Sequence, residues 1–379
     1  MKRLMAMPAR AAAVAAIVFS VFTFTAVALP RFALTSGQPC SSCHVMSSGG
    51  GMRNEGGWVT MKRTGLWKLL EAPESNRLFT ESIRWGFDIR NQTAYRYIVE
   101  KREYERRPFF MQIMPYVNYK PIEEIDIHAG VNIVEPIWPS QQRVTAALVA
   151  KPMEQIAIEA GYFQPDIGLK HDDHTTLTRS ALRLYPGWNE FGANVSATPL
   201  EWLTLGVGVF DAHNRRKELF ETGAGDVISN GDAILTGKIN TLYADYDLGV
   251  SGFAGASYFT AGGQRIFGIH SGVGLIESVS LYAEYLEMKN SAPGASFDPQ
   301  DRIFSIGSSY ELMEAVAITA RYEEAHHESA PGVTQLIKQY VIGAQIFVIP
   351  SVELRPEYRW RDTPTVRVAQ WGGQVHLFF

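Results

Sequence analysis

From Ile83 to the C-terminus, hydrophobic and polar positions alternate with a period of two. In "IRWGFDIR", Trp85, Phe87 and Ile89 fall on one face and Arg84, Asp88 and Arg90 on the other. "EEIDIHAGVNI" sets Ile125, Ile127, Ala129, Val131 and Ile133 against Glu124, Asp126, His128 and Asn132. "VELRPEYRW" sets Val352, Leu354, Tyr358 and Trp360 against Glu353, Arg355, Glu357 and Arg359. Successive side chains of a strand point to opposite faces, so each segment predicts a strand with one apolar and one polar side. A soluble sandwich also alternates, with its polar face turned to bulk water. Repetition of segments of roughly ten residues, with Tyr and Trp near their ends, points instead to a membrane barrel.

The reversals alternate between tight and long. Tight ones fall at "YKPIEE", "AKPMEQ", "ATPLEW", "YDLGVS", "LIESVS", "ELMEAV" and "VIPSVE"; the longest polar connections lie near 164–187 and 211–232. Short turns on one side and long loops on the other are the outer-membrane pattern. The seven hairpins supply fourteen strands, and one more at each end gives about sixteen. The expected fold is all-β, an antiparallel outer-membrane barrel over residues 81–379, with polar residues such as Arg84, Asp88, Glu124, Asp126, Arg355, Glu357 and Arg359 lining the lumen. The last segment, "VRVAQWGGQVHLFF", ends on Phe379 with Leu377, Val375 and Trp371 on the same face. It resembles the terminal strand by which such barrels are recognised for insertion.

The N-terminus reads as a signal peptide over residues 1–28. Lys2, Arg3 and Arg10 precede an apolar stretch from Ala11 to Val27, and Ala26-Val27-Ala28 supplies a cleavage site. Export places the chain's thiols outside the reducing cytosol. Composition agrees with a large antiparallel sheet: 33 glycines, 12% aromatic and 20% charged residues. The net charge of −4 and the acid-interleaved run "KREYERR" at Lys101–Arg107, read as a solvated loop, give no nucleic-acid partner.

Both cysteines of the chain lie in "CSSCH", Cys40 to His44. A structural zinc site needs four ligands, and there is no second cysteine pair. A thioredoxin-like pair belongs beside a βαβ pattern, which is absent. A disulfide closing so small a ring adds little stability. The remaining reading is a c-type haem attachment site, C-x-x-C-H. Each thiol adds to one vinyl group of the porphyrin, and the histidine that follows becomes the proximal iron ligand. On this reading Cys40 and Cys43 hold one covalent haem c and His44 ligates it, within a haem-binding segment spanning residues 29–80 that fills part of the lumen. Met52 and Met61 are candidate distal ligands by reach along the chain, with Met46 too close. His128, His270 and Met114 are candidates by their inward-facing register.

Two clusters, "KHDDH" (His171 to His174) and "EEAHHE" (Glu323 to Glu328), are expected on outer loops, where imidazole and carboxylate could meet a divalent metal. No catalytic triad or paired carboxylates stand out.

A haem motif followed by a barrel resembles the fused outer-membrane monohaem cytochrome c–porin family, sharpest at "PRFALTSGQPCSSCH" with Phe32, Ala33 and Gly37. The next stretch, "VMSSGGGMRNEGGW", departs from the family's iron oxidases and is similar to relatives of unassigned role. The resemblance implies electron transfer across the Gram-negative outer membrane. It also implies a periplasmic carrier such as a soluble cytochrome c, an extracellular electron donor or acceptor, and ferrous iron oxidation as one use. Two other functions fit the same residues: a solute-translocating porin with a haem-bearing tether, and a barrel subunit of a porin–cytochrome complex. "GYFQPDIG" at Gly161–Gly168 resembles a segment of anion-selective porins and favours the solute-translocating form; a loop after it is expected to fold inward.

Overall fold

The structure is a computed structural model. It describes residues 30–46, 53–54, 56–57, 65–66, 82–136, 138, 140–171, 173, 175–185, 187–221, 227–291 and 297–378. The expected signal peptide therefore lies outside the described residues, as does most of the segment between 47 and 81.

Sixteen antiparallel strands form one closed barrel in sequence order. They are β1 (Ile83–Ile98), β2 (Glu103–Ile122), β3 (Ile125–Val131), β4 (Val144–Met153), β5 (Ile156–Phe163), β6 (Glu190–Leu200), β7 (Leu203–Asp211) and β8 (Ala233–Asp245). The other half is β9 (Val250–Ala261), β10 (Gln264–Leu275), β11 (Val279–Asn290), β12 (Gln300–Met313), β13 (Val316–Ala330), β14 (Val333–Ile349), β15 (Val352–Asp362) and β16 (Arg367–Phe378). β1 closes on β16, with Asp88 opposite Phe378 and Ile98 opposite Val368. Closure satisfies every backbone group of the wall without water, which is what hydrocarbon requires.

All seven tight turns expected from the sequence join strand pairs at one end, and both ends of the barrel sheet lie there too. The alternation also holds. On β3, Ile127 and Val131 face outward while His128 is buried inside; on β15, Glu353 and Arg359 are buried inside. Two positions differ. Glu124 sits in the exposed β2–β3 turn rather than in the lumen. Glu103 to Arg107 of the basic run belong to β2, because pairing with β1 extends to Glu103.

Among the described residues, three short helices accompany the wall within the barrel: α1 (Pro30–Ser36), α2 (Leu177–Ser180) and α3 (His213–Glu221). The β5–β6 connection carries α2 and turns inward. The β7–β8 connection carries α3 and packs against it. An apolar core joins Ile167, Leu177, Leu182, Leu184 and Trp188 of the inward loop to Phe210, Phe259, Ile266, Leu286 and Ile303 on the wall, with Leu219, Val227 and Ile228 from the β7–β8 connection. Full burial of a side chain of this kind is worth about 1.5–3 kcal/mol, so apolar packing rather than a lumen of water organises this level of the barrel.

Candidate functional site

The helix α1 rests inside the mouth at the tight-turn end. It packs against β9, β10 and β11. The Glu277 amide donates to the Thr35 carbonyl (3.0 Å), and the Tyr246 hydroxyl donates to the Ser36 carbonyl (3.1 Å). Leu34 joins Leu169 and Phe253 in one buried cluster.

Four residues later the chain makes a 3-10 turn, Cys40–Ser42, in which the amides of Cys43 and His44 both donate to the Cys40 carbonyl (3.1 and 2.9 Å). This turn gathers both thiols and the imidazole of the motif. Neither thiol is in a disulfide; Cys40 is buried and Cys43 partly so. The Asn54 amide donates to the Cys43 carbonyl (3.0 Å), and the Asn54 side chain donates to the carbonyls of Ser41 (2.7 Å) and His44 (3.1 Å). His44 pairs with Arg53 in a short antiparallel bridge. Arg53 in turn lies over the Phe378 ring at 4.1 Å. Asn54 was not among the expected site residues; its signal was an amide side chain followed, after Glu55, by Gly56-Gly57, a pair that lets backbone approach backbone. A Cβ on Gly57 would stand 2.2 Å from the Cys43 carbonyl oxygen.

The surroundings of the motif divide into a polar and an apolar side. Around Cys40 lie Lys238, Lys170 and Asp166, with the Lys238 ammonium donating to Asp166 Oδ1 and to the Gly168 carbonyl, both at 2.8 Å. Burial pushes the Cys40 thiol up to about 12, against the pull of the two ammonium groups. Burial also opposes ionisation of Asp166, but Lys238 and Lys170 outweigh it and hold the carboxyl below its usual range. On the other side Val45 is buried with Tyr116 and Val149, and Met46 and Met114 pack against them. Met46 also packs against the apolar core of the loops. N-terminal segment and loops therefore meet inside the lumen.

The expected distal ligands separate. Met52 and Met61 lie outside the described residues. His128 is 3% exposed on the inner face of β3, its ring 6.1 Å from that of Tyr116, and its Nδ1 has no hydrogen-bond partner among the described residues. His270 is equally buried, but its Nε2 is bound to Asn240 Oδ1 at 2.7 Å. His128 is thus joined to the motif through Tyr116 and Val45, as Met114 is.

Among the described residues neither expected cluster gathers a metal site; Asp172 and His174 of "KHDDH" lie outside them. "KHDDH" is on the inward loop: His171 binds Glu284 of β11 (3.1 Å), and Asp173 receives Arg359 of β15 (3.0 Å) and Arg321 of β13. "EEAHHE" is part of β13 rather than a loop, so Glu323 faces the lumen and Glu324 and His326 face outward. Alternating faces cannot converge on one ion, and among the described residues no group of three metal-binding side chains forms.

The inward loop is latched across the lumen. Gly168 N–H donates to Ser257 of β9 (3.1 Å), Leu177 N–H to Glu323 of β13 (3.1 Å), and Gln339 of β14 and Arg361 of β15 to the Thr175 carbonyl (3.1 and 3.2 Å). Gly168 has a φ of +59°, and a Cβ there would lie 2.3 Å from Glu284 Oε1. The position requires glycine on both counts.

No protein-family model and no curated protein matches this chain. Among solved structures, it is similar to OmpT of Vibrio cholerae (10% identity, 79% of this chain and 99% of that one, TM-score 0.53). It is also similar to the outer membrane channel DcaP of Acinetobacter baumannii (12%, 78% and 97%, 0.55) and to Pseudomonas putida OprB (12%, 81% and 96%, 0.58). The fold is that of the outer-membrane porins. The porin barrel puts the chain in the Gram-negative outer membrane, with its tight turns at the periplasmic end. Inside the periplasmic mouth of this barrel lies the cysteine–histidine turn, in reach of a loop descending from the other side.

Proposed function

We propose that the chain is an outer-membrane electron-transfer protein of the fused cytochrome c–porin type, with one haem c held in the barrel lumen. The observation that carries this reading is the Cys40–His44 turn: two thiols outside any disulfide and an imidazole on one turn, inside a lumen packed by protein. The donor set suits a c-type haem, which Cys40 and Cys43 would hold and His44 would ligate. When bound, the haem supplies one-electron exchange, chemistry that asks for no acid or base. The chain's own residues do the rest. Val45, Met46, Met114, Tyr116 and Val149 exclude water on one side; Lys238, Lys170 and Asp166 set a charged boundary on the other. The Asn54 clamp fixes the backbone of the motif, and the barrel wall separates it from the lipid. A periplasmic carrier such as a soluble cytochrome c would meet the mouth, and an extracellular donor or acceptor, ferrous iron among them, the far side.

A second reading is a solute channel, favoured by the likeness in fold to the outer membrane channel DcaP. On that reading the inward loop is the constriction, and solute passes only if its latches to β13, β14 and β15 yield.

The two readings part in one experiment: production in the periplasm with haem c maturation, then mass and absorption spectra, and conductance in a planar bilayer. One covalent haem, reducible by ferrous iron, in a barrel of negligible conductance supports the first reading. Haem reducible only by dithionite keeps electron transfer and removes ferrous iron as donor. No covalent haem with solute-dependent conductance replaces the first reading with the second.

A further inference from the structure

The inner face of β3 carries an imidazole for which the barrel wall provides no partner. His128 is 3% exposed, and its Nδ1 makes no hydrogen bond among the described residues. Neither cross-strand neighbour bonds to it. Asn118, opposite on β2, donates its amide to Asp126 Oδ1 (2.7 Å), and Ala147, opposite on β4, offers only a methyl group. His171, His270 and His376, also inside the barrel, are each held by a side chain: by Glu284 (3.1 Å), Asn240 (2.7 Å) and Glu353 (2.9 Å) respectively. A buried polar group without a partner bears its full desolvation cost, so an orphaned imidazole calls for a ligand.

This imidazole lies beside the cysteine–histidine turn. Its ring is 6.1 Å from that of Tyr116, and Tyr116 shares a buried cluster with Val45, the residue that follows His44. Met114 packs against the same cluster and is the rival. Its sulfur rests against the backbone of β3, where a Cβ on Gly130 would stand 3.5 Å away, and Gln112 Nε2 approaches it at 3.8 Å. Packing alone satisfies a buried thioether, so the place of Met114 is explained without iron. A buried imidazole is not satisfied by packing.

We propose, resting on the haem reading above, that His128 is the distal ligand of the haem iron, on the face opposite His44. Iron takes one ring nitrogen of a histidine, and the other ring N–H needs an acceptor to fix the ring. Asn118 Oδ1, on the residue directly opposite His128, is buried and equally without a partner, and it supplies that acceptor. Nε2 is then the ligating atom and Nδ1 the donor. Ligation by two imidazoles also sets a lower reduction potential than an imidazole with a thioether.

The test uses the full-length protein matured with haem c and purified in detergent. Wild type should give a low-spin ferric spectrum without the far-red band of a methionine-ligated haem. His128→Ala should keep the haem attached but lose the low-spin spectrum, and added imidazole should restore it. His128→Met should bring in the far-red band and raise the midpoint potential, whereas Met114→Leu should change neither. Heat-modifiable migration checks that each variant is a folded barrel. An attached haem whose spin state and potential ignore His128→Ala overturns the assignment and leaves the haem reading standing, as does a spectrum that responds to Met114→Leu instead. Wild type without covalent haem overturns both.

Discussion

Leu34, in the N-terminal helix, and Leu169, in the loop that descends from the opposite mouth, are both fully buried and share one cluster with Phe253. Two segments entering the barrel from opposite ends are therefore packed against each other in the lumen.

Leu169→Ala should accordingly loosen the N-terminal segment without opening the barrel. Truncating a buried leucine costs about 2–5 kcal/mol. Amide exchange across residues 30–46 should rise sharply while the strand amides stay protected. Unchanged protection at α1 would mean that Leu34 is held by the wall alone.

Asp173 governs the latch on the far side. Burial acts against its ionised form, but Arg359 and Arg321 prevail, and the carboxyl titrates well below the usual carboxylate range. The sign follows: the latch is fully present above the unfolded value near 3.8 and is lost as pH falls through the lower folded one. Bilayer conductance should stay flat from neutral pH to about pH 4 and rise only in stronger acid. Asp173→Asn, which leaves two buried guanidinium groups short of a partner, should raise conductance at neutral pH and cost about 3–5 kcal/mol.

The two cysteines should differ in reactivity in haem-free protein. The Cys40 thiol is buried and pushed up to about 12, whereas Cys43 is partly exposed. Alkylation at pH 8 followed by peptide mass mapping should label Cys43 well before Cys40. The same shift gives stability below pH 9, where both folded and unfolded thiols are neutral, that is lost as pH climbs from 9 towards 12. Equal labelling at pH 8 would show that the turn opens faster than the reagent reacts.

Gly57→Ala places a methyl group against the Cys43 carbonyl oxygen, where the Cβ would be 2.2 Å away. Overpacking of this kind costs about 1–3 kcal/mol. The expected outcome is a shorter-lived Asn54 clamp, read as faster exchange of the Asn54 amide, with haem attachment reduced. Asn54→Ala, which removes the two side-chain hydrogen bonds without a clash, should act in the same direction.

The strands, their number and the end at which they turn tightly were legible in residue order. Alternation has a period of two whatever lies next to it, and a turn needs only a few neighbouring residues to close. The five-residue spacing of Cys40 to His44 was legible for the same reason, since one turn of chain contains it. Less visible were Asn54, whose partners are carbonyls, and the fate of "KHDDH". Its polar residues look solvated in one dimension, but their partners Glu284, Arg321 and Arg359 lie on strands far along the chain. Likewise "EEAHHE" reads as a cluster until pairing with β12 and β14 draws it into a strand and sends alternate residues to opposite sides of the wall. The sequence by itself determined the barrel and the motif, because both depend on local periodicity and spacing. Only the tertiary structure decided that the lumen is packed and that loop and motif meet there, because those contacts require distant strands to have closed into a ring first.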